Sequence, residues 1–194
     1  MVGLAVAATI GFVAVTGSFD GSAPGSGGGS LSVQVNADLN QAVALLAALG
    51  FRSTRSSSSS TPSPSYGTGC AASATGGVRQ FLARHPCKEY ASAMLTARRQ
   101  GAAAQVAISW VVMPTVALAA QYKGEADAPL NGNPPGESLA FNGLCYASGQ
   151  NGATVWTEQV QPAGPLSVDV DRQILQDAAP GKLTAGYVLQ HCIG

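Results

Sequence analysis

Residues 104–112 read AQVAISWVV, and this stretch decides the fold class. In an extended chain Val106, Ile108, Trp110 and Val112 point one way, and Gln105, Ala107 and Ser109 the other. That alternation is a β-strand pattern. The second face is small rather than charged (Ala107, Ser109, Val111), so a second layer is expected to cover part of it. Just upstream, Tyr90–Ala97 (YASAMLTA) alternates loosely and predicts a strand. Arg98-Arg99-Gln100-Gly101 forms the turn, which makes the two strands a hairpin.

Working outward, Val78–His85 (VRQFLARH) places Val78, Phe81 and Leu82 on one helical face, and Pro86 stops that helix. Pro114 sits at the first position of a helix that runs to Lys123 or Asp127. The loop Pro129–Glu137 (PLNGNPPGE) is too rich in Pro and Gly for regular structure. Phe141–Ser148 predicts a third strand and Ala153–Val160 a fourth, joined through the Asn151-Gly152 hairpin signal. Asp169 or Asp171 opens a helix through Ala178, Pro180-Gly181 breaks it, and Thr184 caps a last helix to His191. The expected fold is α+β: a four-stranded antiparallel sheet from two αββ units with helices on one face, preceded by an N-terminal apolar segment and flexible linkers.

The chain divides by composition. Residues 1–19 hold the uncharged apolar stretch Val2–Phe19, long enough at its lower limit to span a bilayer. It reads as a transmembrane anchor or an uncleaved signal segment, with the retained anchor preferred. No Lys or Arg precedes it, which suggests a start codon further upstream. Residues 20–30 (DGSAPGSGGGS) are a Gly/Ser linker. Residues 31–51 carry Leu39, Val43, Leu46 and Leu49 at helical spacing, with Asn36 or Asp38 as candidate cap and Gly50 at the C-terminal end. This amphipathic helix either docks on the main domain, the preferred reading, or serves as a partner helix. Residues 52–69 form a Ser/Pro-rich linker, and residues 70–194 a disulfide-stabilised domain.

Ten Lys+Arg balance ten Asp+Glu, and only 10% of residues are charged, against about 25% in an average protein. A neutral balance argues against nucleic acid as a partner and against an electrostatic grip on anionic lipid. The four cysteines are Cys70, Cys87, Cys145 and Cys192. An even count in an exported chain implies two disulfides. A helix between Cys70 and Cys87 would hold them about 15 Å apart, and a bridge needs Cα atoms within about 7 Å. That disfavours their pairing unless the chain before the helix folds back. Of the remaining pairings, Cys87–Cys145 with Cys70–Cys192 is preferred.

A weaker alternative is zinc on His85, Cys87, His191 and Cys192, the two residue types that tetrahedral sites use. No C-x-x-C or H-x-x-x-H spacing supports it. The sequence carries no nucleophile elbow, phosphate loop, dinucleotide fingerprint or EF-hand, and no cofactor is expected. Glu158, the one carboxylate on an expected strand, reads as solvent-facing. Trp110 and Trp156 read as core residues, with contact to a ligand as the second reading.

The motifs HPCKEY (85–90), ISWVVMP (108–114), GNPPG (132–136), CYASGQNGATVWTEQVQP (145–162) and the terminal HCIG (191–194) resemble exported proteins of high-GC Gram-positive, actinobacterial type. The resemblance covers residues 31–194 and implies location and a shared fold. No activity attaches to that group. The functional expectation is a non-catalytic binding or interaction domain, held outside the cell membrane or secreted, with a protein or cell-envelope partner. A small apolar-ligand binder, or a hydrolase using His85 or His191 as base, is the alternative. The Pro129–Glu137 loop and the hairpin tips are the expected contact surface.

Overall fold

The computed structural model describes residues 30–55, 65–100, 102–136, 145–162 and 173–174. The readings for residues 1–19, most of the Gly/Ser linker, His191, Cys192 and the last helix therefore lie outside the described residues, as does most of the helix expected from 169 to 178. Among the described residues no helix is long and apolar enough to cross a membrane.

The first helix, α1 (Leu31–Ala48), starts seven residues before Asp38, so neither Asn36 nor Asp38 caps it. Leu31, Val35, Leu39, Ala42 and Leu46 recur at steps of three or four, and all are buried. Its end is a Schellman motif. Gly50 adopts φ +79°, its N–H bonds Ala47 O at 2.9 Å, and the Phe51 N–H bonds Leu46 O at 2.9 Å. Only glycine enters that left-handed region freely, which is why the helix stops there. α1 docks on the sheet, and its stripe joins one core with Leu95, Val106, Ile108 and Trp110.

The sheet is antiparallel throughout. Its strands are β1 (Arg52–Arg55), β2 (Ser65–Gly67), β3 (Glu89–Arg99), β4 (Ala102–Val112), β5 (Cys145–Asn151) and β6 (Thr154–Pro162). The order is β1-β3-β4-β6-β5, with β2 also on β3. The β3–β4 and β5–β6 hairpins meet through β4 and β6, with Trp110 opposite Trp156 and Ile108 opposite Glu158. The sheet is therefore wider than four strands. Both ends of the expected Ser/Pro-rich linker pair with β3: Arg52 lies opposite Arg98, and Ser65 opposite Ser92.

Helices cover both faces, not one. α1 lies on the first face, with Val106, Ile108, Trp110 and Trp156. On the second face Val111, Met113 and Val155 form another core with α2 (Cys70–Ser73), α3 (Gly76–Arg84) and α4 (Val116–Asp127). The cause is legible in β4, whose two faces are both small or apolar and so both need covering. Thr115 caps α4, its Oγ1 accepting from the Leu118 N–H at 3.1 Å.

The loop after α4 is strapped down rather than open. The Val78 N–H donates to Asn131 O at 3.1 Å, Asn131 Nδ2 donates to Glu125 O at 2.9 Å, and Gly136 N donates to Ser73 O at 3.1 Å. Pro134 and Pro135 are buried, while Leu130 is exposed.

Candidate functional site

On the first face Trp110 and Trp156 are cross-strand partners in the middle of the sheet. Trp110 Nε1 donates to Asp38 Oδ2 at 2.9 Å, which ties α1 to β4 by a polar contact inside an apolar seam. Trp156 lies against Gly149 of β5; a Cβ there would come within 2.5 Å of the indole. Gly149 is thus a slot for the ring. Glu158 follows two residues on, on the same face, between Ile108 and Ala147. It is fully buried, not solvent-facing as its sequence position suggests. The reason is that this face of β6 is a core face: its neighbours along the strand, Trp156 and Val160, belong to the same buried cluster as Ile174. Burial of Asp38 pushes its carboxyl above the usual carboxylate range, and the Trp110 hydrogen bond partly opposes that shift. Trp110 is 0% and Trp156 7% exposed, so both serve as core on this face.

The second face is chemically different. Ser148, Thr157, Ser109 and Ser92 stand in direct register across β5, β6, β4 and β3, all buried. Buried hydroxyls demand partners, and α4 with its following loop supplies them. Ser109 Oγ donates to Pro135 O at 3.0 Å, and Ser148 Oγ to Asp127 Oδ1 at 2.6 Å. Tyr146 Oη donates to the same Asp127 oxygen at 2.9 Å. Lys123, one turn back on α4, forms an ion pair with the other oxygen, Asp127 Oδ2. Asp127 thus gathers two hydroxyl donors and one ammonium at the end of α4. Beside Tyr146 in the ladder stands Gln159, 5% exposed, whose amide oxygen and nitrogen find no partner among the described residues.

The cysteines correct the expected pairing. Cys70 is bonded to Cys87, with Cα atoms 6.2 Å apart, and Cys145 is also disulfide-bonded. The estimate of 15 Å assumed one straight helix between Cys70 and Cys87. Instead the chain forms α2, extends at Ala74 and Thr75, and turns at Gly76 (φ +57°) before α3, so it folds back on itself. The preferred Cys87–Cys145 bridge is therefore excluded. A disulfide at Cys87 also removes the thiolate that the zinc alternative needs. His191 and Cys192 lie outside the described residues. Among the described residues no three His, Cys, Asp or Glu gather to hold a metal. His85 stands at the end of α3 with its ring 4.9 Å from that of Phe81, a packing contact.

Sequence reasoning missed Asp127, Tyr146, Ser148 and Gln159 as a group. Tyr146 and Ser148 alternate on a strand, and that alternation was the signal available. Nothing local joins them to Asp127, 19 and 21 residues earlier. No protein-family model matches the chain, and no curated protein or solved structure matches it.

Proposed function

We propose that the chain is a non-catalytic binding domain that works outside the cytoplasm, tethered to the membrane through residues 1–19 or released from it. The observation that carries this reading is the disulfide bonding of Cys70, Cys87 and Cys145, since such bonds persist in oxidising compartments. The Gly/Ser composition of residues 20–30 supports a tether. The resemblance of the sequence motifs to exported proteins of actinobacterial type agrees with this reading. Within the fold, we propose that α3-β3-β4 and α4-β5-β6 are two αββ units; the meeting of their hairpins through the second strand of each supports this.

The polar second face favours a ligand that exchanges hydrogen bonds over a small apolar one, because the two tryptophans are closed into the core. A hydrolase using His85 finds little support in a ring packed on Phe81.

The test is the intact mass of the protein taken from its own host, with thiols blocked before and after reduction. Thiols that open only on reduction support an extracytoplasmic location. Free thiols in the native protein overturn it. Turnover by the purified chain, lost on His85→Ala, would overturn the non-catalytic reading.

A further inference from the structure

Cys145 is disulfide-bonded, and the count of cysteines leaves it one partner. The chain has four cysteines, and no described cysteine is free. Cys70 and Cys87 are bonded to each other, so neither can also hold Cys145. Cys192 is the one that remains. Placement agrees with the count. Cys145 is the first residue of β5, the last strand on the sheet path, and is 4% exposed opposite Val160 of β6. Ile174 is fully buried in the same core as Cys145, Val160 and Trp156. The chain beyond β6 thus passes through the core that holds Cys145. Cys192 follows 18 residues after Ile174, a length that reaches about 60 Å when extended and so puts no limit on the return.

We propose that Cys145 and Cys192 form a second disulfide, which fastens the C-terminal end of the chain to the last strand of the sheet. Among the described residues β5 is paired on one side only, with β6. A strand so placed is a point of local opening, and a covalent bond at its first residue holds that end shut. The connectivity is sequential, first cysteine with second and third with fourth. The two loops do not overlap, and β3, β4 and α4 lie between them. Each bridge forms when two thiols give up two protons and two electrons to a disulfide oxidant, whose own disulfide becomes two thiols. A chain that leaves the cytoplasm N-terminus first presents each pair in turn, so each bridge closes without reshuffling the other. The proposal rests on the reading of the chain as extracytoplasmic, since that compartment supplies the oxidant.

The test takes the full chain from its own host, blocks any free thiols and digests it with trypsin without reduction. Cleavage after Lys and Arg puts the four cysteines in four separate peptides, 56–79, 85–88, 124–172 and 183–194. The expected products are 56–79 linked to 85–88, and 124–172 linked to 183–194, each pair separating on reduction. The proposal is overturned if 183–194 is linked to any other peptide or to a second copy of itself, or if Cys145 or Cys192 carries the blocking group. Four blocked thiols would overturn the extracytoplasmic reading as well. A different pairing among four bonded cysteines leaves that reading standing and removes only this inference. The fastening itself is read by hydrogen exchange. Cys145→Ala/Cys192→Ala is expected to speed exchange of the β5 amides at least tenfold and to leave those of α3 at the parent rate. Unchanged exchange in β5, or an equal rise in α3, would overturn the role assigned to the bond.

Discussion

The two faces of the sheet are covered by helices in different ways. On the first, α1 lays five apolar residues on a floor of Val, Ile, Leu and Trp, and one hydrogen bond, Asp38 to Trp110, adds a polar tie. On the second, part of the cover is held by polar bonds: Asp127 to Tyr146 and Ser148, and Pro135 to Ser109. Apolar burial is non-directional and tolerates small shifts, whereas a hydrogen-bonded roof fixes a geometry. The first face is thus suited to stability. The second is suited to holding polar groups in fixed positions.

Four variants test that contrast. The largest effect is expected on the first face. Trp110→Ala removes a fully buried indole and strands Asp38, and is expected to cost about 3–5 kcal/mol, read by urea denaturation. A cost under 1 kcal/mol would mean that α1 is not docked in solution. Next, Cys70→Ser/Cys87→Ser opens a short loop and is expected to cost about 2–4 kcal/mol, visible as a lower melting temperature than the parent under non-reducing conditions. On the second face Asp127→Ala leaves Tyr146 and Ser148 without their common acceptor, at about 1–3 kcal/mol. If it proves as costly as Trp110→Ala, the proposed difference between the faces fails.

The smallest effect is a pH dependence at Asp38. Its carboxyl is raised in the folded state, so the native protein holds the proton more tightly than the unfolded chain does. Its contribution therefore favours the fold in acid and is lost as pH rises through the raised value. Asp38→Asn keeps an oxygen for the Trp110 N–H without the charge. It is expected to melt slightly higher than the parent at neutral pH, with the advantage fading as pH falls towards the ordinary aspartate range. An advantage that does not change with pH would contradict the assignment.

Much of the fold was legible because its signals are local. The β4 alternation and Gly50 each act within a few residues, while the helix start expected at Pro114 and the turn expected at Asn151-Gly152 fall slightly further on, behind the Thr115 cap and at Gly152-Ala153. The two-sided cover was half legible, in the small second face of β4. The strands at the ends of the Ser/Pro-rich stretch were not, since Arg52–Arg55 and Ser65–Gly67 hold no apolar alternation and are placed only by their partner β3. Glu158 was misread for the same reason: it lies on the face of β6 that joins a core assembled from elements remote in sequence. The disulfide reading failed on one turn, at Gly76, that converts a rod into a fold-back. The polar cluster at Asp127 needed a tertiary contact that no spacing encodes.

The edge of β3 holds one more consequence. β1 and β2 occupy the same edge in line, one ending opposite Leu95 and the other starting opposite Ser92. Between those two pairings β3 has only Ala93 and Met94, whereas in the sequence residues 56–64 separate β1 from β2. The number of residues at that point is decoupled from the register on either side. Chain length there is a free variable, because loop closure grows only by about 0.6 kcal/mol per doubling. This is the place to splice in a fluorophore site or an affinity handle: the ladder on both sides keeps its registration whatever is inserted between.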